Sequence, residues 1–323
     1  MERSSRFVGV GYLVSELEGQ QAGGTALAVP TESKPAPAWR RQLVADLGLL
    51  LVTAIWGTTF VVVKEVLQTL PPFTFIALRF TLGTATLAAV FGGRLRSLTW
   101  PEARAGILVG VFLFAGFAFQ TLGLQVTPAS TAGFITGLSV VLVPVAAYFW
   151  LRQRPSTGAV VGVCAAAAGL GLLSIRDDLS LAPGDVLVLL CAIAFALHIV
   201  AVGKFAPRMD ALALTLVQLG FVGVVSWAVA LTAERPAVVL TPPLVGTLLF
   251  VGVVATALVF CIQNVAQRFT SPTHTALIFT MEPVFAAFFA YVWLAEQLGG
   301  RAAVGAVLIL AGMLAAELRR NQR

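Results

Sequence analysis

Residues 117–151 read FAFQTLGLQVTPASTAGFITGLSVVLVPVAAYFWL, and residues 260–294 read FCIQNVAQRFTSPTHTALIFTMEPVFAAFFAYVWL. Laid on one another at a constant offset of 143, they pair Phe117 with Phe260, Gln120 with Gln263, Thr127 with Thr270, Tyr148 with Tyr291, Trp150 with Trp293 and Leu151 with Leu294. The same register runs on to Gly162 with Gly305 and Gly169 with Gly312. Strings rich in Leu, Ala and Val match by chance, but paired Gln, Tyr and Trp at one offset rarely do. Ahead of this stretch the offset is 139, which sets Asp46 against Asp185, Leu50 against Leu189 and Trp56 against Phe195. The chain is written twice, with a four-residue insertion ahead of residue 244 in the second copy.

The medium follows from composition. Of 323 residues 58% are hydrophobic and only 11% charged, with a mean hydropathy of +0.92. Soluble domains draw about a quarter of their residues from Asp, Glu, Lys and Arg. A chain with less than half that share cannot cover its surface with charge, so lipid is its solvent and a water-soluble enzyme is excluded. The net charge of +6 is also found in nucleic-acid binders, but here Lys and Arg punctuate apolar runs and form no basic face, so no nucleic-acid partner is expected. Cys164, Cys191 and Cys261 lie inside apolar runs without CxxC spacing or neighbouring His, which predicts neither a disulfide nor a metal site.

A bilayer core of about 30 Å takes about 20 helical residues. Ten runs of that kind are present: Leu43–Val63, Phe73–Phe91, Ala105–Gly123, Ala132–Leu151, Gly158–Ile175, Val186–Val202, Leu212–Thr232, Leu244–Ile262, Thr275–Leu294 and Ala302–Leu318. Between them stand turn signals such as Pro71-Pro72, Gly92-Gly93, Pro183-Gly184 and Pro242-Pro243. Placing the N-terminus in the cytoplasm puts fourteen Lys and Arg of the short loops and tails inside against four outside (Lys64, Arg176, Arg235 and Arg301), so both termini are expected inside. Since five spans are an odd number, the second copy enters from the opposite side. The expected fold is an all-α integral membrane protein of ten transmembrane helices in two inverted five-helix repeats. Residues 1–38 read as a disordered cytoplasmic tail, 39–178 as the first repeat, 179–318 as the second and 319–323 as a basic C-terminus.

Short motifs recur in this frame: Trp56-Gly57-Thr58-Thr59-Phe60 with Lys64, Ala77-Leu78-Arg79-Phe80, Thr280-Met281-Glu282-Pro283-Val284 and Leu294-Ala295-Glu296. In their order on ten spans they resemble the drug/metabolite transporter superfamily, specifically its EamA type with two five-helix repeats. The first copy departs from that pattern in carrying Gln153 where the family often has Glu. The resemblance implies transport of small metabolites or drugs, commonly export, and a place in the bacterial inner (plasma) membrane.

Two formally charged residues sit well inside the spans, Arg79 and Glu282. A charge at mid-membrane costs about 2.5–3.5 kcal/mol on insertion scales, so each must face a partner or water. Each is a substrate contact or a helix-locking residue bonded to neighbouring carbonyls. At 1.5 Å per residue each lies about 10 Å from its own membrane edge, on opposite sides, so a direct salt bridge is not expected. By the repeat, Arg79 maps to Gln218, Gln120 to Gln263 and Ser139 to Glu282. Counting depth predicts two polar layers, Arg79, Gln120 and Ser139 outward and Gln218, Gln263 and Glu282 inward, around an aromatic cavity. Trp56 is a candidate cavity wall or packing residue. His198 reads as a hydrogen-bonded core histidine or a proton relay. Tyr148, Trp150, Tyr291 and Trp293 read as interfacial anchors. The four-residue glycine spacings Gly133/Gly137 and Gly158/Gly162 suit close helix packing within the monomer or in a homodimer.

These residues predict a secondary transporter working by alternating access on a small organic substrate, with an amino-acid-like zwitterion favoured by the two opposite charges. Protons, with Glu282 as their site, or a counter-substrate would supply the coupling. With no Walker A loop, direct ATP coupling is not expected, and no cofactor is expected. An intramembrane enzyme would need HExxH, GxSxG or paired membrane aspartates, and none is present. A channel would carry a clearer polar ring.

Overall fold

The computed structural model describes residues 38–127, 129–174, 183–236, 238–294, 300, 303–305 and 307–312, and these are helices joined by short turns, with no strand among them. In chain order they are α1 (Ala38–Val66), α2 (Pro72–Phe91), α3 (Trp100–Val126), α4 (Ala129–Gly137), α5 (Ser139–Leu151), α6 (Thr157–Ser174), α7 (Pro183–Phe205), α8 (Ala211–Val229), α9 (Pro242–Leu249), α10 (Val259–Ala266), α11 (Pro272–Phe279), α12 (Met281–Leu294) and α13 (Ala303–Gly312). A π-helical segment, Phe250–Leu258, joins α9 to α10 without a break. Six helices are long and apolar enough to cross a membrane: Trp39–Val66, Pro72–Ser97, Trp100–Val126, Pro183–Arg208, Ala211–Glu234 and Pro242–Ala266. They contain the expected first, second, third, sixth, seventh and eighth spans. The expected tail up to residue 37 and the C-terminus 319–323 lie outside the described residues, as do residues 302, 306 and 313–318 of the tenth span.

Helix starts follow local chemistry. Proline, whose missing N–H costs nothing in a first turn, opens α2, α7, α9 and α11. Asp210 caps α8 by accepting from the N–H groups of Leu212 and Ala213 at 2.8 and 3.2 Å. Glu234 caps α2 from 160 residues away, its two oxygens accepting from Phe73 N and Thr74 N at 2.7 Å each and from Thr74 Oγ1 at 2.8 Å.

Two expected spans are not single helices. The fourth breaks at Leu138, where Leu138 N donates to Ile135 O (3.1 Å) in a tightened turn beside Gly137. The ninth breaks at Thr280, whose N–H and hydroxyl both turn back to Leu277 O, at 3.2 and 2.6 Å. There the cause is legible: Pro283 has no N–H for the Phe279 carbonyl, and the helix restarts with Pro283 in its first turn. The two breaks, at 138 and 280, lie within one residue of equivalent places under the 143-residue offset.

Contacts between helix ends fix the helix directions. Lys64 at the end of α1 donates to Thr127 O after α3 (2.9 Å), and Thr127 Oγ1 donates to Asp185 in the first turn of α7 (3.2 Å). At the other end, Asp46 near the start of α1 meets His274 in the first turn of α11 (3.1 Å), and Arg94 beyond α2 meets Asp210 ahead of α8 (2.9 Å). Hence α1 and α7 run antiparallel, and α2 and α8 do too. Each is a pair of counterparts in the doubled sequence.

With acyl chains outside, apolar burial gives little drive between helices, so close fit holds them together. Leu47, Val61, Val90, Val145, Phe149 and Val224 stand exposed, which suits lipid and would be costly in water. Inside, α6 meets α13 backbone to backbone: a Cβ on Gly169 would lie 2.6 Å from Gly305 O, and one on Gly312 2.8 Å from Gly162 O. The two contacts are images of one another under the 143-residue offset. Gly158 and Gly162 are both buried, so this spacing serves packing within the chain.

Candidate functional site

A cavity of about 820 Å³, its mouth included, lies inside the bundle. Sixteen of its 21 lining residues form eight counterpart pairs: Trp56/Phe195, Thr59/His198, Phe60/Ile199, Phe117/Phe260, Gln120/Gln263, Gly133/Ala276, Thr136/Phe279 and Ser139/Glu282. The two copies thus build the cavity jointly, around the line that relates them. Val63, Arg79, Leu124, Gly137 and Pro283 complete the wall without their counterparts.

Of the eight residues singled out in the sequence, seven line this cavity: Trp56, Arg79, Gln120, Ser139, His198, Gln263 and Glu282. Gln218 does not. It lies fully buried behind His198, its Oε1 2.8 Å from His198 Nε2. Depth counting along a helix gives height and not rotation, and α8 turns Gln218 toward α7 and away from the cavity.

Aromatic rings form the apolar wall. Trp56 packs edge-on to Phe260 with centroids 5.5 Å apart, and the counterpart pair Phe195 and Phe117 repeats that contact at 5.4 Å. Phe117 and Phe260 meet each other at 6.1 Å, and Phe279 closes on Trp56 at 5.3 Å. Edge-to-face contact sets the positive ring edge on a negative face and fixes the wall's shape.

Arg79 is 3% exposed and held on three sides. Its Nε donates to Thr256 Oγ1 at 2.7 Å and its Nη2 to Ala255 O at 3.1 Å, while the guanidinium lies 4.6 Å over the Phe117 ring. Trp56 Nε1 donates to the same Ala255 carbonyl at 3.2 Å. Such a carbonyl is free to accept from side chains because the backbone here is π-helical. Wider turns leave carbonyls displaced from the usual ladder, a feature often found at functional sites. Thr256 Oγ1 itself donates to Val251 O, five residues back, at 2.7 Å. Close approach of α2 to this segment requires glycine on both sides: a Cβ on Gly83 would fall 2.9 Å from Thr256 Cγ2, and one on Gly252 2.7 Å from Leu82 Cβ.

Glu282 stands in the first turn of α12, where the unpaired N–H groups of the helix start favour a negative charge. It is partly exposed to the cavity, and among the described residues none hydrogen-bonds or ion-pairs with it. Arg79 and Glu282 form no salt bridge, as the depth count required. Gln120 Nε2 donates to Thr136 Oγ1 at 3.4 Å. No group of three or more His, Cys, Asp or Glu that could hold a metal occurs among the described residues. The arrangement offers one cation and one carboxylate on an aromatic wall, suited to holding a small charged molecule.

Sequence reasoning missed Thr256 and the Ala255 carbonyl, which no motif marks. At the span ends, Trp150 packs on Phe112 (5.8 Å) beneath the Lys204 ammonium (5.0 Å), and Lys64 reaches across to Thr127. Tyr148 is exposed, while the side chains of Tyr291 and Trp293 lie outside the described residues.

Residues 43–175 and 182–316 each match the EamA-like transporter family. The chain is 32% identical over 279 residues to an uncharacterized transporter of Archaeoglobus fulgidus, covering 86% of this chain and 87% of that one. It is 29% identical to the uncharacterized transporter YvbV of Bacillus subtilis, over 70% and 74% of the two chains. A solved crystal structure, 23% identical, superposes with a TM-score of 0.71 over 85% of this chain and 97% of its own, a likeness of fold.

Proposed function

The chain belongs to the EamA-like transporter family of the drug/metabolite transporter superfamily, and from that premise we propose that it is a secondary transporter carrying a small organic solute across the plasma membrane by alternating access. The observation that carries this reading is the paired lining of the cavity. A site built from both copies can be offered to either face by the same rearrangement run in opposite senses. The antiparallel course of α1 with α7 and of α2 with α8 supports two inverted repeats, 39–178 and 179–318; the Lys and Arg distribution supports ten spans with both termini in the cytoplasm. Export is the direction the family favours.

The substrate class we propose is an amphipathic zwitterion such as an amino acid. Arg79, fixed through Nε and Nη2, keeps Nη1 for a carboxylate, and Glu282 at its helix start takes an ammonium. Trp56 and the facing phenylalanines hold the apolar part, while Gln120, Ser139, His198 and Gln263 supply hydrogen bonds. Gln218 orients His198. Glu282 is the group that would carry a coupling proton in the empty carrier.

Purified protein in vesicles tests this. A thermal-shift screen against amino acids, nucleosides, polyamines and cationic drugs selects ligands, and each hit is then followed as flux. Saturable uptake that is accelerated by substrate on the far side is expected. An ohmic current without counterflow would replace the carrier with a channel.

A further inference from the structure

The cavity is paired about the repeat, but it is not centred there. It reaches Val63, Leu124 and Gly137 in the first copy and stops short of their counterparts Val202, Gln267 and Thr280, which are 0%, 1% and 1% exposed. Two of the shared pairs lean the same way, Phe60 at 8% exposed against 3% for Ile199 and Phe117 at 5% against 1% for Phe260, while Thr136 and Phe279 lean the other way. Because counterpart helices run antiparallel, these residues mark opposite ends of the bundle. One end of the cavity is extended and the other is shut.

The shut end has an amide clasp with no counterpart at the extended end, where Lys64, Thr127 and Asp185 tie α1, α3 and α7 instead. Gln267, at the C-cap of α10, accepts from Gln263 Nε2 one turn back on the same helix at 3.2 Å and donates through its own Nε2 to Ile199 O at 3.0 Å, the bond that ties α10 to α7. Its counterpart is Leu124, whose side chain can make neither bond, although Gln120 and the Phe60 carbonyl stand where Gln263 and the Ile199 carbonyl stand in the other copy. Beside the clasp, Gln218 Nε2, Gln263 Oε1 and Asn264 Oδ1 are buried without a protein partner among the described residues. Polar atoms left in that condition favour a rearrangement that admits water. Packing at the shut end is direct as well: a Cβ on Gly203 would lie 2.5 Å from Pro272 Cγ. At the extended end the counterpart of Gly203 is Lys64, whose long side chain spans to Thr127.

We propose that Gln267 is the gate residue of this transporter: its bond to the Ile199 carbonyl, with Gln263 orienting the amide, holds one end of the cavity closed, and breaking it exposes Val202, Gln267 and Thr280 while the end at Val63, Leu124 and Gly137 closes. The proposal rests on the transporter reading and adds an asymmetry that the reading does not contain. The two gates differ in what bonds them: the Gln267 amide at one end, Lys64, Thr127 and Asp185 at the other.

The test uses the full chain in vesicles, its native cysteines replaced by Ala or Ser, with single cysteines at Val63, Gly137, Val202 or Thr280 and a charged methanethiosulfonate as probe. With Gln267 present, Val63→Cys and Gly137→Cys are expected to react faster than Val202→Cys and Thr280→Cys. Gln267→Leu should reverse the bias, raising labelling at Val202→Cys and Thr280→Cys roughly tenfold, the ratio that corresponds to loss of one to two net hydrogen bonds. Leu124→Gln gives an independent arm that keeps Gln267 intact. It supplies the missing clasp at the extended end and should slow labelling at Val63→Cys. Unchanged ratios in both variants, with flux intact, would overturn the gate and leave the transporter standing. Loss of all saturable flux in the parent chain would instead overturn the transporter reading beneath it.

Discussion

Ser139 and Glu282 stand 143 residues apart and occupy one place in the two copies: each follows the break in a split helix, and each lines the cavity from the first turn of the second half. Only the second carries charge, so the duplicated scaffold holds a carboxylate at one of its two equivalent positions. Half-helix starts inside a membrane bundle favour negative charge, and Glu282 uses that field itself while Ser139 leaves it open to a solute.

Replacing Glu282 by Gln keeps shape and one acceptor but removes the charge. Transport is expected to fall at least about tenfold, equivalent to about 1.4 kcal/mol, while the protein still inserts and elutes as a folded species. If Glu282 is the coupling site, the dependence of flux on an imposed pH gradient also disappears. Flux in the variant with an undiminished pH response would remove Glu282 from coupling.

Thr256 is expected to set the strength of substrate binding through Arg79. Thr256→Val deletes the hydroxyl that accepts from Arg79 Nε and leaves a buried donor unpaired. Hydrogen bonds to charged groups contribute about 1.5–3 kcal/mol, so the affinity of a carboxylate-bearing ligand should weaken roughly 10- to 100-fold. Thr256→Ser, which keeps the hydroxyl, should bind nearly as the parent does. Isothermal titration of both variants decides it, because a packing defect alone would weaken both.

The difference between these two residues shows what the sequence could disclose. Glu282 was visible because a charge in an apolar span is costly and therefore conspicuous. The repeat was visible because Phe117/Phe260, Gln120/Gln263 and Tyr148/Tyr291 hold one offset. Thr256 carries no such signature. Its role depends on a π-helical stretch that shifts the facing side chains, and on the Ala255 carbonyl, a group every residue has. Gln218 failed for a related reason, since position along a helix fixes depth while tertiary packing fixes which way the amide points. Pro283 announced the break at Thr280, whereas the break at Leu138 has no proline at the matching distance: Pro144 lies six residues on.

Glu234 ties the end of α8 to the start of α2 through three hydrogen bonds of 2.7–2.8 Å. Glu234→Ala should lower stability by about 1–2 kcal/mol, the range for loss of a helix cap. The melting temperature in detergent should drop accordingly. Substrate affinity should hardly change, because Glu234 does not line the cavity.

The two ring contacts, Trp56 with Phe260 and Phe195 with Phe117, are images of one another, at 5.5 and 5.4 Å. Pairs of this geometry contribute about 0.5–1.5 kcal/mol beyond their burial, and equal geometry predicts equal coupling. Double-mutant cycles on thermal unfolding, with each ring replaced by Leu singly and in pairs, should therefore give coupling energies that agree within about 0.5 kcal/mol. Affinity should behave differently. Trp56 also donates to Ala255 O, the carbonyl that holds Arg79, and Phe195 has no such bond among the described residues. Trp56→Leu should then weaken a carboxylate ligand more than Phe195→Leu does. Equal losses of affinity would mean that Trp56 acts as wall alone and that the shared carbonyl does not transmit its loss to Arg79.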